Sequence, residues 1–223
     1  MHLGMIGGIG PAATVYYYEQ LVAIFAERNR PLELTIGNSS VKMLTDNLVA
    51  ENPQAQALEF KRIADNLAAA GAERIIVSSM GGHFCIKEFA AISPLQPIEG
   101  PPAVRKYLIE KGVARPGILG TRKVMETGLY GELAELEPVI PRGEDLAQAN
   151  ADYVAIATSG AATAEQSTRL LKAGEKLIEE QGADVVLLGG TDLSIVYDRT
   201  CDLPFIDTAQ VHVEAIASLA LED

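Results

Sequence analysis

Three ionisable side chains stand just past short apolar runs that end in small residues. Ser79 closes one run, with His83 four residues on and Cys85 two further. Gly190 closes the other, followed by Thr191 and Asp192. Imidazole titrates near neutrality and can act as general acid or base. A carboxylate at Asp192 can be a general base or the N-cap of a following helix. Cys85 can supply a thiolate, although a free cysteine commonly packs as a small hydrophobe. The Ser79 hydroxyl is a very poor base unless a neighbour activates it.

These groups are positioned by a repeat. Gly71-Ala-Glu-Arg-Ile-Ile-Val-Ser-Ser79 and Gly182-Ala-Asp-Val-Val-Leu-Leu-Gly-Gly190 share a Gly-Ala-acid opening, an apolar β-branched run and a small-residue end. Each reads as a buried parallel strand opening into a loop at its C-terminal tip, where open α/β sheets bind ligands. Leu3 to Gly7 reads as a strand, Ala12 to Arg28 as a helix, Leu32 to Ile36 as a strand, and Ala55 to Ala70 as a helix ending at Gly71. His83 falls in a loop, and Pro94 to Pro102 marks a crossing. The second half repeats the plan, with a strand at Gly117–Gly120, a helix from Ala164 to Gln181, and a final strand and helix from Leu203. The turn Gly7-Gly-Ile-Gly-Pro11 lacks the spacing of a dinucleotide fingerprint. It reads as a backbone cradle for a small carboxylate, with Gly8 approaching closely and Thr14 adding a hydroxyl.

Bulk properties exclude other classes. A net charge of −12 opposes binding to nucleic acid or an anionic membrane surface. No stretch reaches the length of a membrane span and no signal peptide is visible, so a cytoplasmic protein is expected. The two cysteines, Cys85 and Cys201, have no metal-site spacing.

Several motifs together resemble the aspartate/glutamate racemase superfamily. Gly7-Gly-Ile-Gly-Pro-Ala-Ala-Thr14 is similar to its opening signature, and Leu119-Gly-Thr121 with Tyr130 to its mid-chain element. Gly189-Gly-Thr-Asp-Leu193 resembles its Gly-Cys-Thr-Glu element, and Leu203-Pro-Phe-Ile-Asp-Thr-Ala209 the segment that returns to the first domain. The resemblance implies two flavodoxin-like α/β domains with parallel sheets related by a pseudo-twofold, and a ligand cleft between them. The domains would be 1–100 plus 207–223, and 101–206. It also implies cofactor-independent racemisation by two facing cysteines and, commonly for such enzymes, a homodimer.

Here both thiols are missing. The family's Cys-Asn-Thr-x-His element stands as Ser79-Met-Gly-Gly-His83, and Gly190 occupies the second cysteine's place. Proton transfer would then fall to Ser79, His83, Asp192 or Cys85. Gly8, Thr14, Asn38, Ser39, Ser40, Gly81, Gly82, Thr121, Gly190 and Thr191 would bind the ligand, with backbone N–H groups at 81, 82, 191 and 192 cradling its carboxylate. The loop that carries an arginine in acidic-amino-acid binders reads 42–49 without one. Gln148 stands where a lysine is expected, with Arg142 or Arg122 as substitutes. The expected function is racemisation or isomerisation of a small amino acid or related carboxylate with altered proton carriers. The alternatives are a decarboxylase or lyase, and a non-catalytic carboxylate binder.

Overall fold

In the unit formed by Met1–Gly100 and the chain from His212 onward, short apolar runs form four parallel strands. The computed structural model describes residues 1–197 and 201–222. The strands are β1 (His2–Gly7), β2 (Glu33–Asn38), β3 (Arg74–Val77) and β4 (Gln96–Ile98), in the order β2-β1-β3-β4. The order reverses beside β1, so the C-terminal tips of β1 and β3 form the switch point at which such sheets bind ligands. Between the strands run α1 (Pro11–Glu27), α2 (Val41–Val49), α3 (Pro53–Ala69) and α4 (Ile86–Ile92). Two prolines open helices, at the first turn of α1 and of α3, where a missing N–H costs nothing. The core packs Phe60 edge-on to Phe89 at 5.6 Å, among Ile6, Ile63, Leu67, Ile75 and Val77.

The unit Pro101–Val211 repeats this plan on a smaller sheet. Its strands are β5 (Pro116–Leu119), β6 (Val185–Leu188) and β7 (Phe205–Asp207), parallel and in that order. An isolated bridge between Gly117 and Val139 supplies the flank that β2 gives to β1. Helix α5 (Gly100–Glu110) opens the unit, followed by α6 (Arg122–Glu126), α7 (Glu144–Ser159) and α8 (Ala164–Glu179). Helix α9 (Thr208–Glu222) begins here and carries the chain back to the first unit.

The Gly-Ala-acid tripeptide does matching work in each unit. Gly71 and Gly182 both have positive φ, 95° and 69°, ending α3 and α8. Ala72 and Leu67 press on Gly4 of β1, as Ala183 and Leu177 press on Gly117 of β5, so a side chain on either strand glycine would crowd these neighbours. The acid then fixes the start of the neighbouring strand. Glu73 accepts from the His2 N–H at 2.7 Å, and Asp184 from the Ala114 and Arg115 N–H groups at 2.8 and 2.7 Å.

Several elements depart from the expected reading. Residues 42–49, read as a substrate loop, lie in α2, with Ser40 as N-cap. Gln148, expected at the position of a lysine, lies in α7, which begins at Glu144. The Pro-rich crossing at 94–102 holds β4 and the start of α5. His83 and Cys85 sit in a 3-10 turn, Gly81–Cys85, that runs into α4. The segment 203–208, expected to return to the first domain, places β7 against β6. Tyr130 sits in a turn at φ 62°.

Candidate functional site

In the first unit the tips of β1, β2 and β3 converge. Gly8 turns with φ 74°, and a side chain there would collide with that of Asn38. The Asn38 amide donates to the Ser39 carbonyl at 2.7 Å, and the Ser39 N–H donates to the Gly7 carbonyl at 2.8 Å. Thr14 accepts from the Gly8 N–H at 2.9 Å and lies 3.3 Å from the Ser78 hydroxyl. The turn is therefore closed internally by Thr14, which spends the Gly8 N–H expected to meet a carboxylate. Ser78, which sequence reasoning passed over, is buried and donates to the Ile6 carbonyl at 3.0 Å. Ser79 is only half-buried, one residue further out. Ser40 is exposed and accepts from the Met43 N–H at 3.4 Å.

The 3-10 turn after Ser79 spends a second expected donor, since the Gly82 N–H goes to the Ser79 carbonyl at 3.1 Å. A side chain on Gly82 would strike Val77 and Ile9, so packing alone accounts for that glycine. His83 is 1% exposed. Its Nδ1 faces the Ser79 carbonyl at 2.8 Å, and its Nε2 faces the Gly100 N–H at 3.1 Å. A carbonyl only accepts and an amide N–H only donates, so the ring must be the neutral Nδ1–H form. Burial pushes its pKa down to about 4, the Ser79 carbonyl opposing. His83 therefore ties the β3 tip to Gly100 within the first unit, and both nitrogens are engaged.

A second histidine, unnoticed in the sequence, backs it. His212 lies edge-on to His83 with ring centroids 5.5 Å apart. It donates through Nε2 to the Ile98 carbonyl at 2.8 Å and accepts at Nδ1 from the Tyr17 hydroxyl at 2.9 Å. Burial, aided by His83, lowers it to about 3. Cys85 is fully buried in the core, its thiol 3.5 Å from the Gly82 carbonyl. Burial and then Glu88 push that thiol up to about 12, so it packs as a hydrophobe. Cys201 is partly buried beside the core of the second unit.

In the second unit the tips of β5 and β6 meet through glycine. A side chain on Gly120 would press on the Gly189 backbone, and the Gly189 N–H donates to the Leu119 carbonyl at 2.7 Å. Thr121 caps α6, accepting from the Val124 N–H at 3.3 Å. A 3-10 turn, Thr191–Ile195, follows Gly190 as its counterpart follows Ser79. Asp192 is 5% exposed, and its Oδ1 has no hydrogen-bond partner among the described residues. Burial raises its pKa, opposed by a backbone hydrogen bond. Asp207, beside the β6 tip, accepts from the Ala209 N–H at 2.8 Å and is raised by burial to about 6.

The space beside Gly190 is taken. A side chain on residue 190 would overlap the hydroxyl and two ring carbons of Tyr153, from α7. Burial, then the Asp192 carboxyl, drives the Tyr153 phenol above its ordinary pKa. Sequence reasoning missed this residue; its signal was the side chain absent from 190, whose volume another group had to fill.

The sequence pattern of the Asp/Glu/hydantoin racemase family matches residues 6–216. The chain belongs to this family. Solved structures agree in fold. A candidate Asp/Glu racemase from Yersinia pestis is 25% identical, with a TM-score of 0.86 over 99% of this chain and 100% of that one. An aspartate racemase homologue from Pyrococcus horikoshii OT3 is 24% identical, with a TM-score of 0.80 over 99% of both chains. The glutamate racemase of Francisella tularensis, solved with D-glutamate, is 12% identical, with a TM-score of 0.64 over 99% of this chain and 81% of that one. In this chain Ser79 stands past the end of β3 and Gly190 past the end of β6.

Proposed function

We propose that this racemase-family chain performs cofactor-independent carbanion chemistry on a small amino acid or related carboxylate. Family membership across residues 6–216 supports the reaction class. The observation that carries the altered mechanism is Asp192: a nearly buried carboxyl with one oxygen unpartnered among the described residues, at the tip of β6. Burial raises its pKa and so favours the protonated form over that of an exposed carboxyl. Ser79 is assigned to ligand contact or proton transfer at the β3 tip, where the residue is half-buried. His83 is assigned a positioning role because both ring nitrogens are bonded. Asn38 and Gly81 in the first unit, and Thr121, Gly190 and Thr191 in the second, are each proposed as ligand contacts.

A second reading, a non-catalytic carboxylate binder, is favoured by the fixed neutral state of His83 and the burial of Cys85. Incubation with L- and D-amino acids in heavy water separates the two. The enzyme reading expects deuterium at Cα of at least one ligand. Thermal stabilisation by such ligands with no Cα deuterium would support the binder and end the enzyme reading.

A further inference from the structure

We infer that Tyr153 is a catalytic residue of this chain, delivering the phenolic proton to the substrate's carbanion at the β6 tip. The inference rests on the function proposed above and adds the group that touches the reacting carbon.

Three observations converge on the phenol. Its hydroxyl and ring edge fill the volume that a side chain on Gly190 would start to occupy, so it presents an O–H at the strand tip where residue 190 presents none. Tyr153 is held there by packing: it belongs to the core of the second unit with Ala149, Ile156 and Leu188. Next to it, Asp192 keeps Oδ1 unpartnered among the described residues while 5% exposed. A buried carboxyl oxygen without a partner costs free energy unless a ligand or a transferred proton uses it.

The step balances simply. The carbanion forms when the Cα–H bond breaks and its proton passes to the ionised Asp192 carboxyl, or when the Cα–carboxyl bond breaks and carbon dioxide leaves; in either case Cα keeps the electron pair. The Tyr153 O–H bond breaks, a Cα–H bond forms with that pair, and a phenolate remains. The phenolate recovers its proton from water. A phenol that resists ionisation is a reluctant base and a sufficient acid toward carbon. The site therefore favours giving a proton over taking one.

The test compares the wild-type chain with Tyr153→Phe in heavy water, following Cα deuterium and inversion of configuration for L- and D-amino acids. Thermal melting confirms that the Phe variant is folded, and ligand-induced shifts in melting report binding. The inference expects binding unchanged within about threefold and proton delivery slowed by about 100-fold or more. Delivery within threefold of wild type overturns the role of Tyr153 and leaves the proposed function intact. A wild type that neither exchanges nor inverts any ligand ends the proposed function, and this inference with it.

Discussion

The Tyr153 hydroxyl lies where the side chain of residue 190 would begin. Glycine at 190 and tyrosine at 153 are thus one feature, a tip in which a neighbouring helix supplies the side chain. Gly190→Ala should lower stability by about 1–3 kcal/mol, the usual cost of forcing atoms into a packed core. In a Tyr153→Ala background that penalty should largely vanish. Urea denaturation of the two single variants and the double variant measures the coupling, and additive effects would show that the two residues are independent.

The buried imidazoles set an acid limit on the first unit. His83 titrates at about 4 and His212 at about 3, against an ordinary value of 6.5. Both are depressed, so below 6.5 the unfolded chain binds protons that the folded chain refuses. Stability is complete above about pH 6.5 and falls as pH drops toward 4. From His83 alone the loss reaches about 3 kcal/mol, at about 1.4 kcal/mol per unit of displacement. His83→Gln should flatten the fall in melting temperature between pH 6.5 and 4, and an unchanged slope would contradict this assignment.

Asp207 works in the opposite direction. Burial lifts it to about 6 from an ordinary 3.8. Between those values the folded chain holds a proton that the unfolded chain has lost, so stability declines as pH rises from about 4 to 6. The gap corresponds to about 3 kcal/mol at neutral pH. Asparagine keeps an oxygen for the Ala209 N–H and carries no charge. Asp207→Asn should therefore be more stable than wild type at pH 7 and close to it at pH 4 by urea titration. Equal stability at pH 7 would mean that the carboxylate is better solvated than its burial implies.

Local patterns were the legible ones. The Gly-Ala-acid repeat was visible because its parts act within one turn or on the adjoining strand: Gly71 ends a helix, Ala72 meets Gly4, and Glu73 holds His2. Three elements were hidden by their own residues. Strand β4 has three residues, one of them Pro97. Helix α5 opens on Gly100-Pro101-Pro102, which reads as a break although prolines suit a first helical turn. Helix α7 follows Gly143, an N-cap with no side-chain hydrogen bond to announce it. The site was legible as two strand tips and illegible in its contents. His83 meets Gly100 seventeen residues away, and Tyr153 reaches Gly190 from another helix, contacts that no local spacing encodes.

This racemase-family chain is expected to move protons without a thiol. The deciding measurement is Cα deuterium uptake in heavy water by the cysteine-free variant, Cys85→Ala with Cys201→Ser, beside the wild type. Melting curves establish that the variant is folded. Measurable exchange is expected in the wild type, with a rate within about threefold in the variant, because Cys85 packs in the core with its thiol pushed up to about 12. Loss of exchange in a folded cysteine-free chain would contradict it.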